Sequence, residues 1–191
     1  VKGDRTLVSL FQQGDERAFE ALFHRHKGMV YSFFYHLTFR RLQSEELLQE
    51  TFVKLWSGLQ RFRPRSSLKS YIYRVARNTW IDHLRRKKPR EISLRASLER
   101  RGESEPLARR GNPEATAMAK ELRRAVLAAL DRLPPEMREI LVLSKYQGLK
   151  NREIAHILDI PVGTVESRLS RSYGKLRRLL SCWQQPSRNL E

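Results

Sequence analysis

The stretch NREIAHILDIPVGTVESRLSRSYGKLRR, residues 151–178, decides the fold. Ile154, Ala155 and Leu158 fall on one face of a short helix, Asp159-Ile160-Pro161 make a turn, and Val162-Gly163-Thr164 lead into a second helix. That helix carries Val165, Leu169 and Leu176 on its inner side and presents Arg168, Arg171, Lys175 and Arg178 at offsets 0, 3, 7 and 10. Ala155 is small where two helices must approach closely. The pattern is a helix-turn-helix, and Thr164, Ser167 and Arg168 stand near the end of the second helix that enters a major groove. Arginine can donate two hydrogen bonds to guanine, and helix N-termini hold phosphates. A hairpin used only for packing explains the apolar spacing equally well. The basic stripe favours DNA.

Outward from this motif, nearly every periodic segment has the helical repeat. Asp15 is placed to cap a helix whose apolar face runs Phe19, Leu22, Phe23, Val30, Phe33, Phe34 and Leu37. Ser44 is placed to cap the next, with Glu45 and Glu46 in the first turn, where the helix dipole favours acids. Its apolar face is Leu47, Leu48, Thr51, Phe52, Leu55 and Trp56. A further helix over about 68–86 carries Ile72, Val75, Ala76 and Thr79 inward. Residues 89–115 break the pattern: Pro89, Gly102, Pro106, Gly111 and Pro113 punctuate a polar stretch with no sustained apolar stripe. A second helical unit follows through Leu122, Val126, Leu127, Leu130 and Leu133, then Pro134-Pro135, then Met137, Ile140, Leu141 and Tyr146. No strand-like alternation of useful length occurs. The expected fold is all-α, with small helical domains over 1–90 and 116–191 joined by a flexible linker over 91–115.

The charge is uneven. The 191 residues hold 38 Lys plus Arg against 21 Asp plus Glu, a net of +17. Residues 61–90 alone carry +10, residues 116–191 carry +6, and residues 1–60 only +1. An ordinary solvated face would interleave acids at helical spacing, yet between Arg61 and Arg90 only Asp82 is available. This block therefore predicts a polyanion partner.

Other classes of function find little support. The single cysteine, Cys182, excludes an internal disulfide and any multi-cysteine zinc site. The five histidines form no i, i+4 pair, no phosphate-binding loop of the G-x-x-x-x-G-K type exists, and no carboxylate cluster suggests a two-metal nuclease. Neither catalysis nor a cofactor is expected. The longest clean apolar run is Ile140-Leu141-Val142-Leu143, far short of a membrane span. Asp4 and Gln12-Gln13 interrupt the apolar core a signal peptide requires, so the expected location is the cytoplasm.

Leu133-Pro134, Arg138, Gly148, Glu153-Ile154-Ala155 and the run Ile160 to Arg171 resemble region 4 of the bacterial sigma-70 family, most closely its extracytoplasmic-function (ECF) group. The first half agrees independently. Gly14-Asp15-Glu16, Ala18-Phe19 and Leu22-Phe23 resemble the start of region 2, and Glu45 to Phe52 with Leu55-Trp56 resembles its polymerase-binding helix. Arg61-Phe62, Tyr71-Ile72, Ala76, Asn78 and Asp82 through Arg86 resemble the promoter-melting segment. The resemblance implies a dissociable RNA polymerase subunit that reads minus-35 and minus-10 promoter elements and helps open the duplex.

By that resemblance, Glu46, Gln49, Glu50 and Val53 should meet the clamp helices of the largest subunit of core RNA polymerase, with region 4 on the flap region. The minus-10 contacts implied are Arg61, Phe62, Arg63, Ser66, Lys69, Arg74, Arg77, Asn78, Trp80, Arg85 and Arg86, with Phe62 and Asn78 shaping a pocket for a flipped base. Tyr73, Arg77 and Trp80 share a face that suits either stacking or packing, while Tyr71, Ile72, Val75 and Ala76 read as core. The minus-35 contacts implied are Thr164, Glu166, Ser167, Arg168, Ser170, Arg171 and Lys175. An anti-sigma factor is a further implied partner. This chain departs from the pattern at Glu166, where a basic residue is common, at Asp159 in place of a turn glycine, and at Lys150 in place of a serine cap. The alternative is a free-standing helix-turn-helix regulator, which leaves the +10 block and the Glu46-Gln49-Glu50 surface without a role.

Overall fold

The computed structural model describes residues 2–63, 67–87 and 113–181. Four helices build the first half: α1 (Asp4–Gln12), α2 (Glu16–Thr38), α3 (Arg41–Leu59) and α4 (Leu68–Lys87). The second half has α5 (Pro113–Asp131), α6 (Pro135–Leu141), a π-helical turn (Val142–Tyr146), α7 (Asn151–Leu158) and α8 (Val162–Leu180). The expected linker falls almost wholly outside the described residues.

Asp15 caps α2 as its position predicts, accepting a hydrogen bond from the Arg17 N–H at 3.0 Å. The buried face of α2 is Ala18, Leu22, His26, Val30, Phe33, Phe34 and Leu37. α1 lays Leu7, Val8 and Phe11 against it, and the Phe11 ring meets Phe19 at 5.2 Å and Trp56 at 4.9 Å. α2 stops at Phe39, which adopts left-handed backbone (φ 54°) while its N–H bonds Tyr35 O. A bulky side chain rarely takes that conformation, so something outside the helix holds it there.

The start of α3 differs from expectation. Ser44 is not its cap: the helix begins at Arg41, and Ser44 is buried, donating to Arg40 O at 2.7 Å and meeting Thr38 Oγ1 at 2.9 Å. Turned inward, the hydroxyl bonds Thr38 and the Arg40 carbonyl instead of free helix N–H groups. Glu45 and Glu46 consequently sit beyond the first turn, where Glu45 accepts from Arg41 at 2.9 Å. The cap the sequence reading did not name is Ser67, whose Oγ accepts from the Ser70 N–H at the start of α4.

Pro135 occupies the first position of α6, where its missing N–H costs nothing. The π-helical turn then widens the chain, and Gly148 at φ 64° reverses it. α7 and α8 form the helix-turn-helix around Ile154, Ala155, Ile157, Leu158, Val165 and Leu169, all buried. Asp159 takes the left-handed turn conformation (φ 55°), and Lys150 precedes α7, its N–H donating to Glu153 Oε2 at 2.9 Å. Gly174 lies inside α8 with open space where a Cβ would stand. Gly174→Ala should therefore raise stability by about 0.5–1 kcal/mol. A thermal melt checks this; an unchanged or lower midpoint contradicts it.

The two helical halves are all-α as expected, and they also pack on each other. α4 packs on α7, α2 packs on the π-helical turn and α6, and one buried apolar cluster runs through both halves.

Candidate functional site

The first station is the basic block. Phe62 packs on Tyr71 at a tilt of 42°, ring centroids 4.6 Å apart, and Tyr71, partly buried against the core as its position suggests, also forms one wall of the candidate pocket. Burial pushes the Tyr71 hydroxyl's pKa up, keeping it neutral. Asn78 is exposed two helical turns along the same stripe of α4. Gln12 pins the loop from below: its Nε2 donates to Leu59 O and to Phe62 O, each at 2.9 Å. Gly58 lets Tyr71 lie close, since a Cβ there would collide with the Tyr71 hydroxyl. Sequence reasoning missed both Gln12 and Gly58. The glycine inside an amphipathic helix was the available signal; Gln12 offered none, because its partners lie 47 and 50 residues away.

Around this pocket Arg61, Arg63 and Arg85 are exposed and Lys69 is half-buried; Ser66 lies outside the described residues. Four expected contacts point elsewhere, Arg86 among them, which is held by Glu50 on α3. Trp80 is only 6% exposed and stacks on His83 at 5.6 Å, so the face it shares with the fully buried Tyr73 is a packing face. Arg74 donates to His156 Nε2 at 2.9 Å and to its backbone oxygen at 3.2 Å, across to α7. Arg77 Nε stands 3.3 Å from Glu139 Oε1 on α6, without the alignment of a hydrogen bond. Burial drives the Glu139 carboxyl up to about 7 against the opposing pull of Arg77.

The second station is α3. Glu46, Gln49 and Val53 are exposed at offsets 0, 3 and 7, with Val53 70% open. Glu50, expected on the same surface, is drawn sideways into a charge network. Arg86 reaches both its oxygens at 2.9 Å, Lys54 lies 3.1 Å away, and Lys54 continues to Asp82 at 3.0 Å. Burial works against the Glu50 charge, but the hydrogen bonds from Arg86 and Lys54 outweigh it and hold the carboxyl below its ordinary pKa. Glu50 and Arg86 therefore tie α3 to α4.

The third station is α8. Glu166, Ser167, Ser170 and Arg171 are exposed, and Thr164, Arg168 and Lys175 half-exposed. Ser167 donates to Thr164 O at 3.1 Å, and Arg171 folds back toward Ser167 O at 3.3 Å. Val165, Leu169 and Ser172 turn inward, with Arg171 and Arg178 exposed and Arg168 and Lys175 at the edge of the buried face. Among the described residues no helix is long and apolar enough to cross a membrane.

Comparisons with known proteins fall on these same stations. The sigma-70 region 2 family model matches residues 22–90, and the sigma-70 region 4 family model matches residues 123–176. The ECF RNA polymerase sigma-E factor of Haemophilus influenzae is 32% identical over 172 residues, 88% of this chain and 90% of that protein. The protein of the same description from Escherichia coli K12 is 34% identical over 175 residues, with the same coverage. Among solved structures, CnrH in complex with the cytosolic domain of CnrY aligns at TM-score 0.69 and 26% identity, covering 95% of this chain and 99% of that one. The sigma factor RpoE of Bartonella quintana, in complex with the anti-sigma factor NepR, shares the fold at TM-score 0.68 and 21% identity, covering 85% of this chain and 96% of that one.

Proposed function

The chain belongs to the sigma-70 family and, within it, to the ECF group, and from that premise we propose a division of labour among its three surfaces. It is a sigma factor: it joins core RNA polymerase and directs it to promoter DNA. Glu46, Gln49 and Val53 meet the polymerase, with Glu50 positioning α3 rather than leading the contact. Phe62, Tyr71 and Asn78 capture an unstacked base of the minus-10 element, with Arg61, Arg63, Lys69 and Arg85 on phosphates. The exposed edge of α8, Glu166 through Arg171, reads the minus-35 element. No step requires bond-making by the protein, which acts in the cytoplasm as a non-enzymatic subunit, restrained by an anti-sigma factor.

One observation carries this reading: a non-basic exposed stripe on α3 sits in the same chain as two separate basic stations, in the order the family uses. The experiment is run-off transcription and promoter binding with and without core polymerase. The chain alone should bind promoter duplex weakly, gain affinity when core is added, and yield discrete transcripts. Tight, sequence-specific binding without polymerase would instead mark an independent regulator.

A further inference from the structure

α8 carries Arg168, Arg171, Lys175, Arg177 and Arg178, and against them a single acid, Glu166. With Val165, Leu169 and Ser172 turned inward, the exposed stripe on the opposite side is Gly163, Glu166, Ser167, Ser170 and Arg171. Glu166 has no cation within helical reach. Its neighbours three and four residues away are Val162, Gly163, Leu169 and Ser170. The one guanidinium on the stripe, Arg171, folds toward Ser167, reaching its backbone oxygen at 3.3 Å and its Oγ at 3.4 Å. Among the described residues Glu166 has no hydrogen-bond or ion-pair partner. The face that meets DNA therefore presents a bare carboxylate.

Such a group has two fates against a duplex. Opposite a phosphate it only repels. Opposite base edges it is an acceptor with nothing to donate, so it discriminates among the four bases. Guanine shows it two acceptors, N7 and O6, and thymine shows O4 and a methyl group. Adenine offers the N6 amino group, but an acceptor flanks that donor on each side, N7 of its own ring and O4 of the paired thymine. Cytosine offers the N4 amino group with an acceptor on one side only, O6 of the paired guanine. Cytosine is the base a carboxylate fits best. An amide, which both donates and accepts, fits adenine instead.

We propose that Glu166 is the base-selecting residue of α8, accepting a hydrogen bond from the N4 amino group of a cytosine and so fixing a C·G pair at one position of the minus-35 element. This rests on the sigma-factor reading above, in which α8 lies in that groove. The cations at the edge of the stripe and beyond it, Arg168, Lys175, Arg177 and Arg178, supply sequence-independent attraction to phosphates. Affinity resides in the cations and selection in the carboxylate.

The test uses the full chain with core polymerase and a promoter library in which the minus-35 element is randomised and the minus-10 element held constant. Salt is kept fixed, because phosphate contacts are salt-dependent. Sequencing the templates recovered in complex gives the preference at each position. The wild-type chain should select a C·G pair, in one orientation, at one position by about fivefold or more. Glu166→Ala should flatten that position alone. Glu166→Gln should move it to an A·T pair with adenine in the cytosine's place. Preferences at the other positions, and the unfolding midpoints of both variants, should stay as in the wild type, since the side chain is exposed and unpaired. A carboxylate that merely repels DNA predicts something else: Glu166→Ala would strengthen binding to every template equally and leave all preferences unchanged. That result would overturn the assignment, as would flattening at a position where the wild type selects an A·T pair. A wild-type chain that shows no promoter-dependent selection with core polymerase would overturn the sigma-factor reading itself, and the assignment with it.

Discussion

Glu46→Arg is expected to weaken binding to core polymerase by about thirtyfold or more while the unfolding midpoint of the chain stays where it was. Glu46 stands exposed on α3 beside Gln49 and a Val53 that is 70% open. Reversing a charge at the centre of an interface commonly costs 2 kcal/mol or more, and each ~1.4 kcal/mol is tenfold in affinity. Glu50→Arg makes the instructive contrast. It would set a third cation beside Lys54 and Arg86, losing contacts that hold α3 to α4. These groups are about a third exposed or more, so solvent screening limits that cost to about 1 kcal/mol, but the midpoint should fall. Competitive binding to core polymerase and a thermal melt of each variant separate the two roles. Recruitment of the Glu46→Arg chain at the wild-type level would remove this stripe from the interface.

The second large effect is on strand opening. Asn78→Ala should lower open-complex formation by roughly 5- to 150-fold, since a base-edge contact or stacking platform is worth about 1–3 kcal/mol. The side chain is exposed and the substitution leaves the Phe62–Tyr71 contact in place, so polymerase binding and fold should be unaffected. Permanganate reactivity of unpaired thymines in the promoter reads the outcome directly. Normal reactivity with the alanine variant would mean that the base is captured elsewhere.

What could be read from the sequence follows the range of the interactions involved. The Asp15 cap, the α2 face and the helix-turn-helix depend on neighbours within one or two turns, and each is where the periodicity places it. Ser44 misleads because its hydroxyl has two competing uses, and Thr38 and the Arg40 carbonyl win over the helix start. Glu50 misleads for a different reason: its decisive partner, Arg86, is 36 residues away. Trp80 and Arg77 share a face that reads as basic and aromatic in one dimension. Only the arrival of the second half shows Arg77 facing Glu139, while Trp80 packs against His83 of its own helix. A pattern of periods records which side of a helix is apolar, not which distant element covers it.

The Gln12 pin carries a practical lesson about where this domain begins. The matched region 2 segment starts at residue 22, yet Leu7, Val8, Phe11 and Gln12 lie upstream of it. A fragment cut at that boundary would lose Phe11 and Phe19 together and strip both aromatic neighbours from Trp56. It would also leave the carbonyls of Leu59 and Phe62 without the amide that anchors the loop. Dissected fragments of this protein should therefore keep α1, because Gln12 on that helix anchors the loop that carries Phe62.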